Sequence, residues 1–208
     1  MTAAVETARG TRRTPADKYD ERRTQLAISA LETLGELGYA RTSLREIANN
    51  SEFSHGVVHY YFADKFELIT HCVRHYKSQC VTRYDGLVAE SRTAEELLAR
   101  FADKLVETMT TEAPVHRLWY DLRTQSMFEE QFRPDVLLID ATLQEMIGRV
   151  VTTYAELAGR PLTMDVATIY ALLDGVFEKG LLAHLVGDRG ASSDLRARVS
   201  DLLPRLLG

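Results

Sequence analysis

The chain has 208 residues, a formal net charge of −5, 45% hydrophobic and 26% charged residues, the balance of a globular protein with material for one large or two small domains sharing a core. No apolar run approaches the length of about 18 residues that a membrane-spanning helix needs. Cys72 and Cys80 are its only cysteines; they are too far apart to bridge and lack zinc-spaced His or Cys neighbours, so a reduced, cytoplasmic protein is expected.

Residues 1–18 are rich in Thr, Ala and Arg with no apolar periodicity, and read as a disordered basic tail. No apolar stretch follows these arginines, so they do not form a secretory signal. A first helix is expected from Asp20 to Leu37, with Ala27, Ala30, Leu31 and Leu34 as its apolar stripe and Gly38 as its C-terminal cap. Ser43-Leu-Arg-Glu46 then forms a capping box that opens a short helix with Leu44, Ile47 and Ala48 on one face. After the connector Asn50-Ser51-Glu52-Phe53, Ser54 can cap another short helix. That helix turns Val58 and Phe62 inward, and His55, Gly56, His59 and Tyr60 outward. Two short helices joined by a tight turn make a helix-turn-helix, whose second helix fits a DNA major groove.

The residues go further than the geometry. Thr42-Ser43, Ile47-Ala48, Ser54-x-Gly56, Tyr60-Tyr61-Phe62 and Lys65-x-x-Leu68, preceded by Leu34-x-x-x-Gly38-Tyr39, resemble the DNA-binding domain of TetR-family transcriptional regulators over Arg22 to Ile69. The sequence departs from the family's pattern at Glu52, where the turn usually has glycine, and at His59, where tyrosine is usual. The resemblance implies a helix-turn-helix domain over 19–65 and a larger helical domain over 66–208 for effector binding and dimerisation. It also implies DNA contacts from Thr42, Ser43, Arg45, Ser54, His55, Gly56, His59, Tyr60 and Lys65.

Beyond the motif the pattern is helical throughout, giving an all-α chain of about nine helices. A fourth helix is expected from Asp64 to about Glu90, linking the two domains. Thr93-x-x-Glu96 opens a fifth through Leu97, Phe101 and Met109; Pro114 starts a sixth carrying His116, Trp119, Tyr120 and Arg123. Pro134 opens a seventh, closed by Gly159. An eighth spans about Met164 to Val186 and is apolar on more than one side, so it is expected to be buried twice. The ninth, Asp194 to Leu206, carries one narrow leucine stripe. From the last pair a two-fold dimer is expected, with Ile169, Val176, Gly180, Leu195, Val199 and Leu202 in the interface.

No phosphate loop, nucleophile elbow or HExxH occurs, and neither an enzyme, a cofactor nor a metal site is expected. His71 and His75 share a helix face but have no further ligand in register. Phe101, Met109, His116, Trp119, Tyr120, Arg123, Tyr154, Phe177 and Glu178 are the candidate walls of a small-molecule cavity. Arg123 would suit an acid and the aromatic set with Glu178 a cation. Residues 1–62 are charge-neutral, and the whole net −5 lies in 63–208. The expectation is a homodimeric regulator, most simply a repressor, that binds a near-palindromic duplex operator and is released by an effector. A sensor that no longer binds DNA and an activator of the same fold are the alternatives.

Overall fold

The computed structural model describes residues 14–208, so most of the expected basic tail lies outside the described residues. Its regular elements are α1 (Pro15–Arg41), α2 (Leu44–Asn49), α3 (His55–Tyr61), α4 (Lys65–Cys80), α5 (Asp85–Glu90), α6 (Ala94–Thr111), α7 (Ala113–Ser126), a 3-10 turn at Glu130–Phe132, α8 (Arg133–Ala158), α9 (Val166–Leu185) and α10 (Ala191–Arg205). Among the described residues the only strand-like pairing is an isolated bridge between Leu162 and Leu207.

Two departures from the sequence expectation matter most. The first helix begins at Pro15 rather than Asp20, because Thr14 and Asp17 form a capping box ahead of it. The expected helix from Asp64 to Glu90 is two helices, broken between Cys80 and Asp85. Neither proline nor glycine causes that break. Arg149, on α8, donates to the Val81 carbonyl and pairs with Asp85 at 3.0 Å, satisfying backbone groups that the helix end leaves free. Tyr84 is drawn into the core, its ring edge-on to Phe101 at 5.1 Å.

The head forms where α1 lies across α2 and α3. Leu26, Ala27, Ala30 and Leu34 close on Ile47, Val58 and Phe62, and all are buried. Gly38 has φ of 76°, a left-handed conformation that glycine adopts without a Cβ penalty, and it ends the regular part of α1. Just before it, α1 meets α7 so closely that a Cβ on Gly35 would sit 2.7 Å from Pro114 Cβ. The Gly35 backbone packs directly against the Pro114 ring at that point. Arg117 clasps the junction by donating to the Gly35 and Glu36 carbonyls, and Asp121 accepts from the Tyr39 N–H at 2.8 Å.

The rest of the chain packs around α6 and α8. Helix α10 lays Leu195, Val199 and Leu203 against α6 and α9, and all of them are buried within the chain. Gly180 allows this approach, since a Cβ there would lie 3.4 Å from both Leu195 Cβ and Met109 Sδ. The outer side of α9 is different. Leu172 and Leu185 are exposed, Leu182 and Val186 more so at 62% and 74%, and Gly175 faces open space.

Candidate nucleic-acid interface and effector cavity

The outer face of the head is built by caps. Ser43 accepts from the Glu46 N–H at 3.2 Å while its own N–H donates to the Glu46 carboxylate at 2.7 Å. Ser54 accepts from the Val57 N–H, and Asp64 accepts from the Glu67 N–H at 2.8 Å. The turn between α2 and α3 is braced by Ser51, whose hydroxyl donates to the Ala48 carbonyl and accepts from the Phe53 N–H. Among the described residues no side chain other than glycine has positive φ, so Glu52 occupies the turn without backbone strain.

With the caps holding α3 in place, His55, Gly56, His59 and Tyr60 all face solvent, Tyr60 at 72% exposure. Nothing lies within 4 Å of where a Gly56 Cβ would be, so the backbone there is open to close approach. His55 and His59 meet through their Nε2 atoms at 3.1 Å, one ring donating and the other accepting. Arg41 and Arg45 are exposed and form no ion pair among the described residues. A solvent-facing cation of this kind is what a phosphate contact requires.

The second site is a partly open cavity of about 70 Å³ bounded by α4, α6, α7, α8 and α9. His116, Trp119 and Tyr120 of α7 form one wall, Lys77, Cys80 and Arg83 another. Leu143, Met146 and Ile147 of α8, with Leu173 and Phe177 of α9, complete an apolar lining. Asp174 accepts from the Tyr120 hydroxyl at 3.0 Å and from Arg123 at 2.5 Å. Arg83 donates to Glu112 at 2.6 Å, and the Tyr76 hydroxyl donates to the same carboxylate. Burial lowers the Lys77 ammonium from its ordinary value to about 8, and burial with nearby Lys77 and Arg83 pushes His116 well below the usual imidazole range. Burial and Asp174 raise the hydroxyl pKa values of Tyr120 and Tyr170.

Residues 29–72 match the sequence profile of "Bacterial regulatory proteins, tetR family". Across 185 residues the chain is 27% identical to the HTH-type transcriptional regulator BetI of Burkholderia lata, covering 88% of this chain and 93% of the relative. Residues 29–72 are a TetR-type DNA-binding domain. The relative is a transcriptional regulator, and the helix-turn-helix described above is the part of this chain that the profile matches. The fold extends to solved structures of low identity. A transcriptional regulator of Saccharomonospora viridis in complex with choline superposes with a TM-score of 0.75 at 18% identity, over 90% of this chain and 98% of that one. FadR of Bacillus subtilis in complex with stearoyl-CoA gives 0.67 at 19%, over 89% and 97%.

In this TetR-type domain Ser43, Arg45, Ser54, His55, Gly56, His59 and Tyr60 are all exposed on the head. Thr42 and Lys65 do not present free tips there. Thr42 is buried and its hydroxyl donates to the Gly38 carbonyl at 2.7 Å. Lys65 Nζ donates to the Tyr39 carbonyl at 2.8 Å and lies 4.0 Å from the Tyr39 ring centroid. Both side chains are used to end α1.

Of the expected cavity residues, Phe101, His116, Trp119, Tyr120 and Phe177 line it. Arg123 stands behind Asp174, Met109 packs beside Gly180, Tyr154 is buried outside the cavity, and Glu178 is exposed in a separate surface groove that Tyr120 and Asp121 also line. The cavity residues that the sequence reading missed are chiefly Lys77, Cys80, Arg83 and Tyr84. A readable signal existed for Lys77, which continues the buried stripe Ile69–Val73 at helical spacing. Of the expected dimer residues, Ile169, Leu195 and Val199 are filled inside one chain and offer no surface; Val176, Gly180 and Leu202 are half-buried. His71 packs against Phe62 and His75 meets Gln79, and the described residues hold no cluster of metal-ligating side chains.

Proposed function

We propose that this chain is a cytoplasmic repressor that grips a near-palindromic duplex operator as a homodimer and lets go when a small molecule enters the cavity. The observation that carries this reading is the double use of α7. One side of α7 gives His116, Trp119 and Tyr120 to the cavity; the other gives Pro114, Arg117 and Asp121 to the end of α1. A ligand that shifts α7 must therefore shift the head. Two heads held at a fixed spacing bind both half-sites, and a change in that spacing costs the second contact. The division into a reading head up to Lys65 and a sensing body beyond it is part of this proposal.

For the dimer, the open side of α9 is the surface of the right character. Leu172, Gly175, Leu182 and Val186 leave an apolar strip at helical spacing with no cover in one chain. Choline and stearoyl-CoA in the two related structures support a sensing role for the body of the fold. No catalytic chemistry is proposed. The test is a titration of labelled DNA from the region upstream of the chain's own gene, with and without a metabolite panel. Saturable, salt-sensitive binding that one metabolite abolishes is the expected result. Retained binding with every metabolite, or no binding to any duplex, would overturn the release mechanism and the repressor reading respectively.

A further inference from the structure

The cavity's hydrogen bonding is unbalanced, and the imbalance has a sign. Lys77 is 4% exposed and reaches the cavity from α4, yet its ammonium forms no hydrogen bond or ion pair among the described residues. It rests only against aromatic faces, 5.1 Å from the Trp119 ring centroid and 5.5 Å from that of Tyr76. Burying a charge in that way is costly unless something pairs with it. The indole Nε1 of Trp119 and the imidazole Nε2 of His116 are likewise buried without a partner.

The acidic groups that could answer this positive charge are already committed. Asp174 is held by Arg123 and the Tyr120 hydroxyl, and Glu112 by Arg83 and the Tyr76 hydroxyl. What is left over is an ammonium and an indole N–H, both of which can only donate, beside a neutral imidazole that can do either. Such a set asks for an acceptor with negative charge. A quaternary ammonium would bring no acceptor and would add a second positive charge beside Lys77. The opposite wall, made of Leu143, Met146, Ile147 and Leu173, has nothing for a fully polar anion to bond to. A volume of about 70 Å³ is roughly half of the ~150 Å³ that admits benzene.

We propose that this cavity takes a small aliphatic carboxylic acid, its carboxylate on Lys77 with Trp119 and His116 as flanking partners and its short tail on the α8 and α9 wall. The proposal rests on the effector-cavity reading above and names the ligand class for it. Lys77 sits on α4 and Trp119 and His116 on α7, so an acid would bridge the helix that follows the head to the helix that holds α1. Burial holds the ammonium at a pKa of about 8, with Arg83 lowering it further and Cys80, Asp174 and Glu112 opposing. A bound carboxylate would raise it again, so binding near pH 8 takes up a proton.

The test uses the full chain, with Trp119, its only tryptophan, as reporter and calorimetry as the second measurement. Sodium butyrate, sodium benzoate, sodium phosphate and choline chloride are titrated into the native protein and into Lys77→Met and Lys77→Arg. Butyrate should shift Trp119 emission and bind with proton uptake at pH 8. Lys77→Met should weaken it by at least about tenfold, as expected for loss of a charged hydrogen bond, and Lys77→Arg by less. Circular dichroism verifies that Lys77→Met is folded. Choline binding more tightly than butyrate overturns the proposal, as does phosphate binding equally well. So does Lys77→Met binding butyrate like the native protein, or no acid binding up to about 10 mM. Benzoate outcompeting butyrate overturns the aliphatic assignment. Choline shifting Trp119 and releasing DNA would leave the effector-cavity reading standing while the acid falls. DNA release by a compound that Lys77→Met and Trp119 both ignore would take down the cavity reading itself.

Discussion

The reading face and the cavity wall treat their polar groups in opposite ways. On the head, Thr14, Ser43, Ser54 and Asp64 cap helix starts, Thr42 and Lys65 tie off α1, and Ser51 braces the turn. Each cap is worth about 1 kcal/mol to the fold, and the head is complete before any DNA arrives. In the cavity, Lys77, Trp119 and His116 are buried with hydrogen bonds unmade. A surface meant to read can be finished in advance, because a rigid reader loses less entropy on binding. A sensing site that is finished in advance gains nothing from its ligand, and only a ligand with different affinity for two states can shift their balance.

Substitutions on the two sides should therefore move stability in opposite directions. The largest effect is expected at Lys77. An ammonium held at about 8 instead of 10.5 penalises the fold by about 3 kcal/mol at neutral pH. Lys77→Met should recover much of that in chemical denaturation at pH 7. The folded pKa lies below the unfolded one, so the unfolded chain holds the extra proton between pH 8 and 10.5. Native stability should climb with pH across that window and the variant's should stay flatter. A destabilised Lys77→Met would mean that the ammonium is satisfied after all, and the contrast with the head would collapse.

Next in size is the latch between the two regions. Asp121→Ala leaves the Tyr39 N–H without its acceptor and should cost about 1–3 kcal/mol, measured by thermal melting. It should also weaken the link between ligand and DNA, read as a smaller effector-induced change in operator affinity. Of similar size is His55→Ala, which should relax preference at one base position by about 1–3 kcal/mol and leave the salt dependence nearly unchanged. Arg45→Ala should do the reverse, weakening all duplexes alike and lowering the salt slope by about 1. Specific and scrambled duplexes at several salt concentrations distinguish the two. Exchanged outcomes would mean that α3 is rotated about its axis relative to the groove. Smallest is Ser43→Ala, expected to cost about 1 kcal/mol in denaturation with no change at the cavity.

The same contrast explains what could be read from the sequence. The head is written locally: a capping box spans four residues, and Val58 and Phe62 face inward because they are four apart. Phe101, His116, Trp119, Tyr120 and Phe177 were legible as a group because each lies on a strongly periodic helix. Lys77 continues the Ile69–Val73 stripe, but that spacing alone did not single it out, since a lysine on a helix is ordinarily solvated and its burial depends on which helix lies opposite. Arg83 and Tyr84 depended on a break in the helix, and the residue that supports it, Arg149, is distant in sequence. Periodicity also says that a face is apolar without saying what covers it. The leucine stripe of α10 reads as a dimer surface, yet α6 and α9 cover it within the same chain.

The contact between Gly35 and Pro114 has a consequence for inheritance. At 2.7 Å from Pro114 Cβ, there is no room for even one methyl group, so Gly35→Ala must lever α1 away from α7 while leaving every base-facing residue and every cavity wall intact. Cells carrying that allele should express the target genes without the inducer. A screen for constitutive expression should thus return lesions at Gly35 alongside lesions on α3. The purified Gly35 variant would still take up the cavity's ligand normally. Such alleles would be silent to any assay of ligand binding and visible only at the promoter.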